Sequence, residues 1–197
     1  MEKQNLSEGR YDGITRELVR DIIRVFKQNK TGEFSLPEYF DEKEMVYDFG
    51  SHLGGFGVTL YLDQDPNVKD YAVDGHFLRD DDTIEITITS NPKIEPSSLY
   101  NLIGDLNELI RHELEHMKQK YAGFKFPNYT PKTSYGYYKR PHEIEAQLAG
   151  FKRIAKLQNK KIEDVMNRWF EKNQQKHNLN PKEIERIVKR ILDKNSN

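Results

Sequence analysis

The chain reads as an α+β protein: a small, mostly antiparallel sheet packed on an active-site helix and a glutamate-bearing helix, with further helices at both ends. Three observations carry that expectation. Short stretches rich in β-branched and aromatic residues succeed one another between residues 44 and 91, punctuated by Gly, Asp, Asn or Pro. Most of the chain beyond residue 96 has helical periodicity. A length of 197 residues, 36% hydrophobic and 32% charged, suits one domain with a real core. We take residues 1–197 as that single domain: a core at about 43–157, an N-terminal helix within 1–32, and a helical appendage at 158–197.

The elements run in order. Ile14, Leu18, Ile22, Ile23 and Phe26 are spaced for a helix over 13–29, which NKTG stops. EMVYDFG, GVTLYLDQD, DYAVDGHFLRD and TIEITITSN are the expected strands. In the last, Ile84, Ile86 and Ile88 face one way, and Thr83, Glu85, Thr87 and Thr89 the other. Ser97 and Ser98 offer a cap for a long helix at about 98–121. Residues 122–141 hold three prolines and several aromatics without periodicity, a long loop of the kind that often carries function. A helix over about 142–157 and two polar helices broken at HNLNP complete the chain.

Composition excludes several functions. With no cysteine, the chain has no disulfide, thiolate metal site or cysteine nucleophile, so a metal must be held by His, Asp or Glu. A net charge of -1 gives no reason to expect nucleic acid or an anionic membrane as partner. The opening MEKQNLSEGRYDG lacks an apolar signal core, and no stretch approaches the roughly 20 apolar residues of a membrane span. A cytoplasmic location is expected.

The chemistry concentrates in RHELEHMKQKY, residues 111–121. His112 and His116 lie four apart, so on a helix both imidazoles reach one ion. Two neutral imidazoles suit zinc, and Glu113 is placed to take a proton from a metal-activated water. Chance and a solvated helix face are the competing explanations. Helical phase argues against them. Leu99, Ile103, Leu106, Ile110, Met117 and Tyr121 form an apolar stripe, widened by Leu102 and Leu109, and Glu113 falls between the directions of Leu106 and Leu109. A carboxylate there is costly unless it is paired or functional. Glu115 takes the solvated position of the motif.

A third ligand is required. Glu145 is the expected one, on the flank of a stripe of Ile144, Leu148, Phe151 and Ala155 and beside the small residues Ala146, Ala149 and Gly150. Glu143, on the other flank, is read as a first-turn carboxylate complementing the helix dipole. His142 stays open as a rival that would give a three-histidine site.

On these residues the chain resembles the gluzincin zinc metallopeptidases, especially the compact minigluzincins, over about 43–157. HELEH is similar to their first motif, and Glu145-Ala146 in IEAQLAGF to their second. The resemblance implies one zinc per chain on His112, His116 and Glu145, with Glu113 as base in peptide-bond hydrolysis. It also implies that the strand at 83–90 is the edge that pairs with an extended peptide, with Thr87 and Thr89 in the cleft. Some members carry an Asp four residues after the glutamate ligand. Here that position is Ala149, and Asp105 or Glu108 could substitute. For the oxyanion, Tyr135, Tyr137, Tyr138 and His142 are candidates, with Tyr138 and His142 preferred.

Smaller features have plainer readings. His52 and His76 are structural or surface histidines, GGFG is a turn without a phosphate-loop Lys, and Asp80-Asp81-Asp82 is a hairpin turn. The apolar stripe of 182–194 marks a docking helix, for this domain or for a protein partner. The expected function is a zinc metallopeptidase acting on a peptide or protein substrate. Its rival is a binding or assembly protein on a peptidase-like fold, with zinc structural or absent.

Overall fold

The computed structural model describes residues 2–28, 31–36, 56–127 and 131–196. The strand expected at 44–50 and His52 lie outside them. Helix α1 spans Glu2–Lys27, then come strands β1 (Gly32–Leu36), β2 (Gly57–Gln64), β3 (Tyr71–Leu78) and β4 (Thr83–Ser90). Five helices complete the order: α2 (Pro96–Tyr121), α3 (Ser134–Tyr138), α4 (Pro141–Gln158), α5 (Ile162–Asn173) and α6 (Pro181–Asn195). The class is α+β, as the sequence pattern implies.

The sheet order is β1-β2-β4-β3. The β1–β2 and β3–β4 pairings are antiparallel, and the β2–β4 pairing is parallel. This corrects one expectation. β4, the strand TIEITITS, is paired on both sides and is no edge, so Thr87 and Thr89 cannot meet an incoming peptide along it. Its three isoleucines are fully buried, and each contributes roughly 1.5–3 kcal/mol of burial. A strand that apolar is central by its own chemistry. Among the described residues the edge on that side is β3, whose one buried side chain is Phe77.

Two cores divide the described residues. In the first, Val58, Leu60 and Leu62 of β2 join the β4 isoleucines, Leu18 and Ile22 of α1, and Leu102, Leu106, Ile110, Leu114 and Met117 of α2. In the second, Leu148, Phe151 and Ile154 of α4 meet Val165, Met166 and Phe170 of α5 and Ile187, Val188 and Ile191 of α6. α6 thus docks on its own chain, held at its start by a capping box between Asn180 and Glu183. The seam between the cores is the contact of α2 with α4.

α2 begins at Pro96, so the expected serine caps fall inside it and Ser98 is buried in the first turn. Proline serves at the first helical position because its missing N–H would go unused there. α3 occupies part of the expected loop, with the Thr133 side chain accepting from the Gly136 N–H.

Candidate metal centre

α2 is buried on almost every side from Leu106 to Met117, because the sheet, α1 and α4 surround it. The HELEH motif therefore sits in the interior. His112 Nε2 and His116 Nε2 are 3.0 Å apart. Glu143 Oε2, from the first turn of α4, lies 3.2 Å from His116 Nε2 and 3.6 Å from His112 Nε2. All three side chains are buried, and they form the group able to hold a metal ion among the described residues. A tetrahedral ion with arms of about 2.0–2.1 Å sets its ligand atoms about 3.3 Å apart. The three measured separations bracket that value, and a His-His-carboxylate donor set suits zinc. The residues fit the group.

The carboxylate brought to the histidines is Glu143, and Glu145 is placed elsewhere. Glu145 is more than a third exposed, ion-paired with Lys194 at 2.7 Å, and accepts a hydrogen bond from Gln119 Nε2 at 3.2 Å. The reason lies in the two faces of α4. The stripe of Leu148, Phe151 and Ala155 faces the second core, toward α5 and α6. The face toward α2 carries Glu143, Ala146, Gln147 and Gly150, within roughly 100° of arc at 100° per residue. Gly150 is needed there: a Cβ would stand 2.9 Å from the Glu108 carbonyl oxygen and 3.0 Å from its carboxylate.

With Glu143 in place, the residue four positions on is Gln147 and not Ala149. Gln147 Oε1 and His112 Nδ1 are both buried without a hydrogen-bond partner. One can accept and the other donate, and both residues line the same cleft. Of the other two candidates for this supporting role, Asp105 is engaged by the Tyr71 hydroxyl at 2.6 Å and Lys172 at 2.8 Å. Glu108 is buried beside His112, and its carboxyl is pushed up to about 7, chiefly by burial. Trp169 donates to it. His116 is oriented by Gln119, whose Oε1 lies 3.0 Å from Nδ1 while its amide N–H donates to the His142 carbonyl. An Nδ1–H bond to that oxygen leaves the Nε2 lone pair directed at the cluster. Sequence reading missed Gln119; its place one turn after His116 is the available signal.

Charge in the cluster is mutually supporting. Burial pushes His112 down, but the hydrogen bond with Glu143 and the charges of Glu113 and Glu108 outweigh it and hold the imidazole up at about 9. Burial raises Glu143, yet its bonds to His112 and His116 win and keep it well below the usual carboxylate range.

Glu113 is buried, with Oε1 3.9 Å from His112 Nε2. Its Oε2 accepts the Phe77 backbone N–H of β3 at 2.9 Å. The carboxylate thus stands between the cluster and the edge strand. Glu115, expected in solvent, is buried in an ion pair with Arg111 at 3.0 Å, with Lys118 at 2.8 Å. These cations outweigh burial and lower its pKa. α1 covers this face, and the Arg111 guanidinium lies over the Tyr11 ring.

The remaining candidates separate. Tyr138 lines the cleft, but its ring is buried among Phe170, His177 and Trp169. Its neighbour Tyr137 is the tyrosine whose hydroxyl donates to Glu143, and burial together with that charge raises its pKa. His142 is buried outside the ligand group, its ring 5.9 Å from that of His116 and packed on Phe124 and Phe126. Its Nε2 lies 3.3 Å from Glu143 Oε1, in ion-pair range but without hydrogen-bond geometry, and Nδ1 makes no hydrogen bond. His76 is exposed beside Glu85 at 3.2 Å, on the surface as expected.

A cleft of ≈ 320 Å³ opens from His112 and Glu113 between Val73, Asp74 and Gly75 of β3 and the α5 side, with Lys176 and His177. Helix α5 and the turn after it are therefore part of its wall. No helix of the described residues is long and apolar enough to cross a membrane. Comparison with protein-family models, with curated proteins and with solved structures finds no match.

Proposed function

We propose that the chain is a zinc-dependent peptidase whose ion is held by His112, His116 and Glu143. The observation that carries this is the placing of Glu113. It is a buried carboxylate beside the ligand cluster, lining a cleft bordered by β3, the outer strand of the sheet among the described residues. A divalent cation held there supplies Lewis-acid polarisation of water and of a carbonyl.

The chain's own residues supply the rest. Glu113 takes a proton from the attacking water and passes it to the leaving amine. Because Phe77 N–H points at Glu113, the alternation of an antiparallel pair turns the N–H and C=O of Gly75 and Val73 away from β4 as well. An extended substrate pairs with those groups, on β3 and not on β4. Tyr137, held at Glu143, is the donor best placed for the oxyanion. Gln119 and Gln147 orient the two histidines.

Glu113→Gln tests the reading. The variant should retain about one zinc per chain and lose hydrolysis of a quenched-fluorescence peptide library by roughly 10²–10⁴-fold. Full activity in that variant sinks the proposal. The second reading, a binding protein with a structural ion, draws on the bond from Phe77, which gives Glu113 a structural task. It expects no hydrolysis by the wild type and unaltered partner binding by Glu113→Gln.

A further inference from the structure

A second concavity lies beyond Asp105, Glu108 and Trp169, which it shares with the metal cleft. It is a groove of ≈ 790 Å³ between α1, the first half of α2, the last half of α4 and α5. Its floor is apolar, with Val19, Ile23, Ile103, Phe151, Ile154 and Val165. Tyr100 and Leu157, two of the three large hydrophobic residues exposed among the described residues, also line it, at 72% and 50% exposure. Large apolar side chains gathered in one groove mark a contact surface, whereas scattered ones do not.

Its rims are basic. Arg16, Arg20 and Arg24 stand at four-residue intervals on α1, with Lys27 beyond them, and Arg168 and Lys172 face them from α5. Arg16, Lys27 and Arg168 have no ion partner among the described residues. Arg20 and Arg24 share only the surface carboxylate of Asp21, at 3.4 and 3.5 Å. The acids in the lining are otherwise committed: Asp105 to Lys172 and Tyr71, and Glu108 to the interior. A protein of net charge -1 thus concentrates positive charge around one apolar groove.

We propose that this groove docks an acidic amphipathic helix of a protein partner, its apolar stripe on the floor and its acidic flanks against the two rims. Four residues of helix rise about 6 Å, so Arg16 to Arg24 span about 12 Å of one wall. A lipid headgroup or small anion calls for cations that converge on a point. These run in parallel rows on both sides of a floor, the pattern that meets a rod about 10–12 Å wide with charge along both flanks. None of these rim and floor residues belongs to the proposed hydrolytic machinery, so the groove and the metal site can fail separately.

The test is fluorescence anisotropy of the full chain with a labelled 18-residue peptide. The peptide carries Leu at i, i+3, i+4 and i+7 and Glu on both flanks, and its scrambled isomer is the control. The amphipathic peptide should bind at least about tenfold tighter than the scramble, and more weakly as salt rises. Arg20→Glu/Arg24→Glu and, separately, Leu157→Glu should each weaken binding at least about tenfold, with zinc content and melting temperature unchanged. Absence of binding, equal binding of the scramble, or indifference to both variants overturns the proposal. So does binding to phosphatidylserine vesicles in place of the peptide, or self-association that Arg20→Glu/Arg24→Glu abolishes.

Discussion

On one side of Glu108 and Trp169, buried titratable groups converge within a few ångströms; on the other, exposed cations spread along the rims of an apolar floor. The cleft at His112, His116 and Glu143 depends on fixed distances between a few side chains, so single atoms matter there. In the groove no single contact is decisive, and charge and apolar area act in sum. Convergence also makes the cleft sensitive to packing several residues away, which the groove is not.

That contrast can be tested by substitution, the largest effect first. Glu143→Ala should lower zinc affinity by more than about 100-fold in chelator competition, while Glu145→Ala should leave it nearly unchanged. The reverse result would return the ligand role to Glu145. Next, Glu115→Ala leaves the Arg111 guanidinium buried without its partner. About 3–5 kcal/mol of stability should be lost in urea unfolding, whereas Arg24→Ala at the groove rim should cost within about 0.5 kcal/mol. Gln147→Ala should reduce zinc affinity roughly tenfold if it orients His112, with stability barely altered. Smallest, Gly13→Ala on α1, where a Cβ meets nothing within 4 Å, should stabilise by about 0.5–1 kcal/mol. The same change at Gly150 should destabilise and weaken zinc binding together.

The pH dependence sharpens the same contrast. His112 has a folded pKa of about 9, above its ordinary 6.5. The metal-free fold therefore gains stability from the imidazolium that is fully present below about 6.5 and is lost as pH rises through about 9. Zinc requires the neutral ring. Binding near pH 7 should thus release about one proton, read as a dependence of the titration heat on buffer ionisation. No such dependence would mean that His112 is neutral before the metal arrives.

Local periodicity made the motif helix legible, along with the burial of Glu113 and the β4 alternation. It failed where a second body covers a face. Glu115 reads as solvated until α1 lies across it. The Phe151 stripe of α4 reads as its core face, and is, but it faces the second core, so reasoning from it led to Glu145 and not Glu143. β4 reads as an edge by analogy, and only the pairing order, which no local pattern encodes, places β3 outside it. Gln119 carried only its place one turn after His116 and Gln147 no signal at all, because a glutamine is ordinary on any helix until its partner is known.

The bond from Phe77 to Glu113 also works as a ruler. It removes one peptide unit of β3 from use, so under the proposed function an extended chain lying along that edge pairs with Gly75 and Val73 and stops there. Two residues of strand measure about 6.6 Å. In the proposed peptidase the last main-chain pairing and the proton acceptor are therefore a fixed step apart, and the position of the cut is counted from the backbone, whatever side chains the bound chain carries.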